Sequence, residues 1–186
     1  HAPGRPTHAV SEHALLLMLA LARRATVLDR AVKSGAWGIR EGYEGVELRG
    51  KRLGVIGFGA IGRRVAEIGT TLGMTVAYWS RTSRHATLPV LELDELISTS
   101  DVIQICVALT PDTHGMIGTG QFARMKRGVL IINTARAQIV DHGALLAAIT
   151  AGVVGGYGSD VWELEPPAVD DPLLADERVV ITPHVA

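Results

Sequence analysis

The chain has 186 residues, 47% of them hydrophobic and 20% charged, with 21 glycines and 8 prolines, a composition that excludes collagen-like and disordered chains and suits one folded domain. Eighteen basic against nineteen acidic residues leave a formal net charge of −1, without the positive excess that a phosphate-backbone binder needs, so no nucleic acid partner is expected. The single Cys106 allows neither an internal disulfide nor a thiolate metal cluster, which points to a reducing, cytoplasmic setting and to no metal.

In chain order, the first expected element is a helix from Val10 to about Leu28. Its apolar run, Ala14 to Ala22, is far shorter than the roughly 20 residues that span a bilayer, so no membrane partner is expected. The run is apolar on nearly every face, and such a helix must be covered on several sides, within its own domain or at a domain or subunit interface. Gly35, Gly38, Gly42 and Gly45 mark a turn-rich stretch. From Lys51 the pattern alternates between strands and helices.

Strands are expected at Leu53 to Gly57, Thr75 to Trp79, Val102 to Val107, Val129 to Asn133, Gly155 to Asp160 and Val179 to Thr182. Between them, Val65, Ile68 and Leu72 recur at helical spacing before Gly73 ends the segment. Further helices are expected at Leu93 to Thr99, Thr119 to Arg127 and Asp141 to Ala151, the last with Asp141 as N-cap and Gly152 just past its end. Short apolar runs joined by helices predict an α/β fold with a doubly wound parallel sheet. The expected organisation is one domain, with residues 1–50 as the N-terminal helix and its connecting segment and residues 51–186 as the sheet core.

Gly57-Phe58-Gly59-Ala60-Ile61-Gly62 fits G-x-G-x-x-G between a strand and a helix. In that setting the first glycine permits the turn, the second admits a pyrophosphate, the third brings helix onto strand, and the helix amides meet the anion. A dinucleotide is therefore the expected cofactor, with Gly57, Gly59, Ala60, Ile61 and Gly62 around its pyrophosphate. An NAD site usually places an acid about 20 residues later, on the adenosine ribose. Here no acidic residue lies between Ile68 and Leu91, and Ser80-Arg81-Thr82 occupies the position, followed by Ser83 and Arg84. An arginine suits a 2′-phosphate where an aspartate would repel it, so NADP(H) is expected to be preferred, with NAD(H) possible if these arginines are merely solvated.

Five further motifs complete a pattern that resembles the cofactor-binding domain of the D-2-hydroxyacid dehydrogenases. They are Val10-Ser11-Glu12-His13-Ala14, Leu109-Thr110-Pro111-Asp112-Thr113, Asn133-Thr134-Ala135-Arg136 with Val140-Asp141, Asp160-Val161-Trp162-Glu163-Leu164-Glu165-Pro166, and Thr182-Pro183-His184. The resemblance implies a Rossmann-type fold and hydride exchange with a small 2-keto or D-2-hydroxy acid, glyoxylate or hydroxypyruvate foremost. It implies that Arg136 holds the substrate carboxylate, that His184 is the acid/base and that Glu165 orients the imidazole. It also implies that Asp160 approaches the nicotinamide carboxamide and that Val107, Ala108, Thr113, Thr134, Ala135 and Ala186 line the cofactor, with Arg136 and His184 beside it. Chemistry agrees, since a keto acid needs a guanidinium for its carboxylate and a proton donor of near-neutral pKa for its carbonyl oxygen.

Family members carry a second domain built from both chain ends, expected here before His1 and after Ala186, and they pair through the first helix, so a homodimer is expected. Alternatives are NAD-linked oxidation of the phosphoglycerate or lactate type, and a corepressor-like module that senses dinucleotides. His13, His114 and His142 match no catalytic position and read as surface or capping residues. Cys106 reads as core. Ala137 stands where the family usually has glycine and Ala108 where proline is common.

Overall fold

The structure, a computed structural model, describes residues 5–82 and 87–186. Two helices open it, α1 (Arg5–Ala22) and α2 (Ala25–Lys33), followed by a 3-10 turn at Trp37–Gly42. The core then runs β1 (Arg52–Ile56), α3 (Ala60–Thr71), β2 (Thr75–Trp79), α4 (Leu93–Thr99), β3 (Val102–Ile105), α5 (Thr119–Phe122) and β4 (Val129–Asn133). A 3-10 turn at Ala137–Ile139 leads to α6 (His142–Thr150), β5 (Val154–Ser159), α7 (Pro172–Ala175) and β6 (Val179–Ile181). Ser83 and Arg84 of the expected cofactor segment lie outside the described residues.

Among the described residues the six strands form one parallel sheet in the order β2-β1-β3-β4-β5-β6. Alternation along each strand sends side chains to opposite faces. Ile103, Ile105 and Ile131 therefore join Leu96, Ile97, Leu145 and Ile149 beneath α4 and α6. Val102, Leu130 and Ile132 join Leu17, Met18, Leu21 and Val65 beneath α1 and α3. Each fully buried Leu or Ile contributes about 2 kcal/mol relative to exposure, and both faces of the sheet are covered, as a parallel sheet requires.

The single expected helix to Leu28 is in fact two. Arg24 adopts a left-handed backbone (φ 48°), and the Val46 amide donates to the Ala22 carbonyl at 2.7 Å, so the connecting segment takes the acceptor that a continuing helix would use. Helix α1 is covered by its own domain on one side: Ala14, Leu17, Met18, Leu21 and Ala22 are buried on the sheet, whereas Leu16 and Leu19 are exposed. The segment expected as a helix to Arg127 ends at Phe122. Beyond Ala123 the amides of Arg124 and Met125 bond three residues back, to Gln121 and Phe122, and the chain turns into β4. Helix α1 begins at Arg5, five residues before the expected Val10, and α2 ends at Lys33, past the expected Leu28; the remaining boundaries shift by two residues or fewer, and the short α7 carried no periodic signal.

Sheet order places the site. From β1 the chain winds outward to β2, then crosses back over β1 to β3, so connections leave β1 and β3 in opposite directions and open a crevice at their carboxyl ends.

Candidate functional site

The crevice is a cleft of about 420 Å³ lined by Ile61, Cys106, Val107, Ala108, Leu109, Thr134, Ala135 and Arg136. Ile61 brings the glycine-loop motif to its edge. Gly57 has φ 95°, and a Cβ there would run into the Cys106 backbone, so the turn out of β1 requires glycine. A Cβ on Gly62 would meet the Gly57 carbonyl, which is how α3 reaches the strand end. Gly59 is different: nothing lies within 4 Å of its would-be Cβ, and among the described residues no side chain caps the amino end of α3. Open space over uncapped helix amides fits a pyrophosphate. Phe58 anchors the loop from below, buried and stacked on Tyr78 with centroids 3.7 Å apart.

Ser80, Arg81 and Thr82 follow β2 at the edge of the same crevice. Arg81 is not a bare cation: its Nη1 meets Asp112 Oδ2 at 2.9 Å, linking the segments that follow β2 and β3. Thr113, expected on the cofactor, is buried. Its hydroxyl donates to the Ala108 carbonyl at 2.7 Å and accepts from the Thr110 amide at 2.8 Å, so it shapes the 108–113 turn from behind.

The loop after β4 is organised by Asn133, to which the sequence reading gave no role. Its Oδ1 accepts from the Ala135 amide and its Nδ2 donates to the Arg136 carbonyl, both at 3.0 Å. Thr134 on the cleft wall accepts from buried Gln104. Arg136 is exposed, with Nη1 turned onto the Ala135 carbonyl. Ala137 opens a 3-10 turn without a left-handed backbone, so alanine fits where the family usually has glycine. Cys106 lines the cleft instead of lying wholly in the core, and burial pushes its thiol up to about 12, against a smaller opposing effect of Gln104, which keeps it a neutral wall residue.

A second hollow of about 400 Å³ lies where β5 and β6 end, lined by Trp162, Glu165, Pro166, Pro167, Ile181, Thr182, Pro183 and His184. Here the structure brings two expected residues together. His184 Nδ1 lies 2.9 Å from Glu165 Oε2 and 3.1 Å from Oε1, and the Trp162 amide donates to Oε1. Hydrogen bonding from His184, then from the Trp162 amide, holds the Glu165 carboxyl below its ordinary value, so it stays ionised. Arg136 lines the neighbouring cleft, not this hollow.

His184 has φ 56°, a backbone uncommon in non-glycine residues and stabilised here by its surroundings. Asp160 provides this. This buried carboxylate accepts from the Thr182 hydroxyl (2.5 Å), the Val185 amide (3.1 Å) and the Ala186 amide (2.8 Å), so donors on both sides of His184 converge on it. Burial raises the Asp160 pKa, but Thr182, the two amides and His13 outweigh it and leave the carboxyl below its ordinary value. Ala186 thus meets Asp160 through its amide.

His13 corrects the sequence reading. It is not a surface residue: its side chain is 14% exposed, with Nε2 at 2.7 Å from Thr182 Oγ1 and 3.5 Å from Asp160 Oδ1. His142 is also tied in, 3.2 Å from Asp171 and edge-on to Trp162, whereas His114 is exposed. Among the described residues, no group of three His, Cys, Asp or Glu is placed to hold a metal ion, and no helix is long and apolar enough to cross a membrane.

A doubly wound sheet with a glycine loop at its switch point defines a dinucleotide-binding domain. Residues 15–186 match the family model of the D-isomer specific 2-hydroxyacid dehydrogenase NAD binding domain, and the chain belongs to that family of oxidoreductases. It is 46% identical to D-3-phosphoglycerate dehydrogenase of Archaeoglobus fulgidus, over 100% of this chain and 36% of that protein. It is 40% identical to glyoxylate reductase of Aeropyrum pernix, over 99% of this chain and 58% of that protein. The crystal structure of the TT0316 protein from Thermus thermophilus superposes with a TM-score of 0.95 at 38% identity, over 100% of this chain and 60% of that one. The chain thus spans less than two thirds of the length of each of these relatives.

Proposed function

We propose that the protein containing this domain reduces a small 2-keto acid, glyoxylate or hydroxypyruvate foremost, with NADP(H) preferred over NAD(H). The observation that carries the reading is the His184–Glu165 contact at 2.9 Å, set at the carboxyl edge of the sheet beside the glycine-loop cleft. When bound, the dinucleotide supplies hydride to the carbonyl carbon. The residues of the chain manage charge and protons. Ionised Glu165 occupies Nδ1 of His184, which fixes the ring and leaves Nε2 to give a proton to the carbonyl oxygen. Arg136, swung from the Ala135 carbonyl, pairs with the substrate carboxylate through a planar fork that an ammonium lacks.

Glyoxylate and hydroxypyruvate are favoured by the 40% identity to a glyoxylate reductase, and the lack of an acid after β2 supports NADP(H). Arg81 supports the NADP(H) preference: a 2′-phosphate offers it a dianion in place of the Asp112 carboxylate. The outward Leu16 and Leu19 of α1 support pairing of two copies through that helix.

The test is steady-state reduction of glyoxylate, hydroxypyruvate and pyruvate by the full-length protein and its His184→Ala variant. The variant is expected to lose about 100-fold or more in kcat, the usual contribution of a positioned acid. Unchanged turnover of all three acids would remove the acid/base role and favour a dinucleotide-sensing module.

A further inference from the structure

The part-buried contact between His13, on α1, and the turn that carries His184 has no part in the function proposed above. Its hydrogen bonds have one consistent direction. Asp160 is ionised and accepts the Thr182 hydroxyl proton, so that hydroxyl has no second proton to give. His13 Nε2, 2.7 Å from the same oxygen, must therefore be the donor. The chain of donation runs from His13 to Thr182 to Asp160, and Asp160 collects the amides of Val185 and Ala186 on the far side of His184.

We propose that His13 is a positioning residue for the acid/base: its Nε2 donor fixes Thr182 against Asp160 and so holds the 182–186 turn in the left-handed form that presents His184 to Glu165. The inference rests on the reading of His184 as the proton donor. Packing leaves His13 little freedom, since one turn further along α1 Leu17 is buried in the core against the sheet. The ring therefore reaches the carboxyl edge from a rigid element, across 169 positions of sequence. Without the donor, Thr182 and the His13 site must exchange a directed hydrogen bond for an apolar contact or a water. The turn then has other conformers open to it, because φ 56° at a histidine is not a rest position.

A purely structural role would show as lost stability with no preference among donors, so the test separates donor from volume. In the full-length protein, His13→Phe keeps an aromatic ring and removes the donor, whereas His13→Gln returns an amide N–H at similar reach. The readouts are kcat for glyoxylate reduction, the Kd for NADH and NADPH, and the melting temperature. His13→Phe is expected to lower kcat at least tenfold while Kd changes by less than threefold, because the pyrophosphate site lies across the sheet edge at the glycine loop. His13→Gln is expected to recover kcat to within threefold of the parent.

Should His13→Phe not fold, the link can be cut from its other end: Thr182→Val is expected to show the same kcat loss and Thr182→Ser to retain activity. Unchanged kcat in His13→Phe, or equal losses in the Phe and Gln variants, would overturn the proposal. So would equal losses in Thr182→Val and Thr182→Ser. Failure of the underlying reading would look different, since His184→Ala would then be as active as the parent whatever the His13 variants do.

Discussion

The proposed dinucleotide preference turns on Arg81, and the structure pairs that residue with Asp112. Its partner Asp112 is exposed, so the pair contributes little to stability, but it sets what a 2′-phosphate must displace. Arg81→Ala is expected to weaken NADPH about tenfold, equivalent to ~1.4 kcal/mol, and to leave NADH within about twofold. Asp112→Asn is expected to strengthen NADPH about threefold by releasing the guanidinium. Calorimetric titration of both nucleotides reads the ratio directly, and an unaltered NADPH to NADH ratio in Arg81→Ala would end the preference. Sequence spacing made Gly57, Gly59 and Gly62 legible, because their geometry is local. Asp112 was visible in its motif but its pairing with Arg81 was not, and His13 was misread because its partners Thr182 and Asp160 are distant in sequence.

Elements were legible where local pattern and tertiary demand agree. All six strands show as short apolar runs, since a parallel sheet covered on both faces needs no polar alternation. Helix α6 announces both ends: Asp141 Oδ1 accepts from the Ala144 amide at 2.7 Å, and Gly152 follows in a left-handed backbone. Asp141→Ala is expected to cost about 1 kcal/mol, measured by urea denaturation at neutral pH. A cost below about 0.3 kcal/mol would mean that water caps the helix as well. The break at Arg24 was hidden, because the group that ends α1 is the Val46 amide, brought back from beyond the turn-rich stretch. The early end of α5 was hidden for a similar reason: Phe122 and Met125 are both buried, and a turn, not a continued helix, leads their chain into β4.

At the scale of the molecule, α1 faces two ways. Its inner side covers the sheet and carries His13, while Leu16, 56% exposed, and Leu19 form an outer stripe. Leu16→Glu is expected to convert a dimer of the full-length protein to monomer in sedimentation equilibrium, with the fold retained because Leu16 lies outside the core. A parent protein that sediments as monomer would remove the pairing. Residues at the carboxyl edge, from the glycine loop to His184, present the cleft beside β1 and β3 and the His184–Glu165 pair side by side, and the proposed chemistry depends on that arrangement. Single-turnover reduction of glyoxylate by the full-length protein preloaded with reduced nicotinamide, compared with its His184→Gln variant, tests it most directly. The parent is expected to oxidise one equivalent of nicotinamide, and the variant to react at least about 100-fold more slowly with nucleotide still bound. Equal rates in the two proteins would contradict the acid/base role of His184.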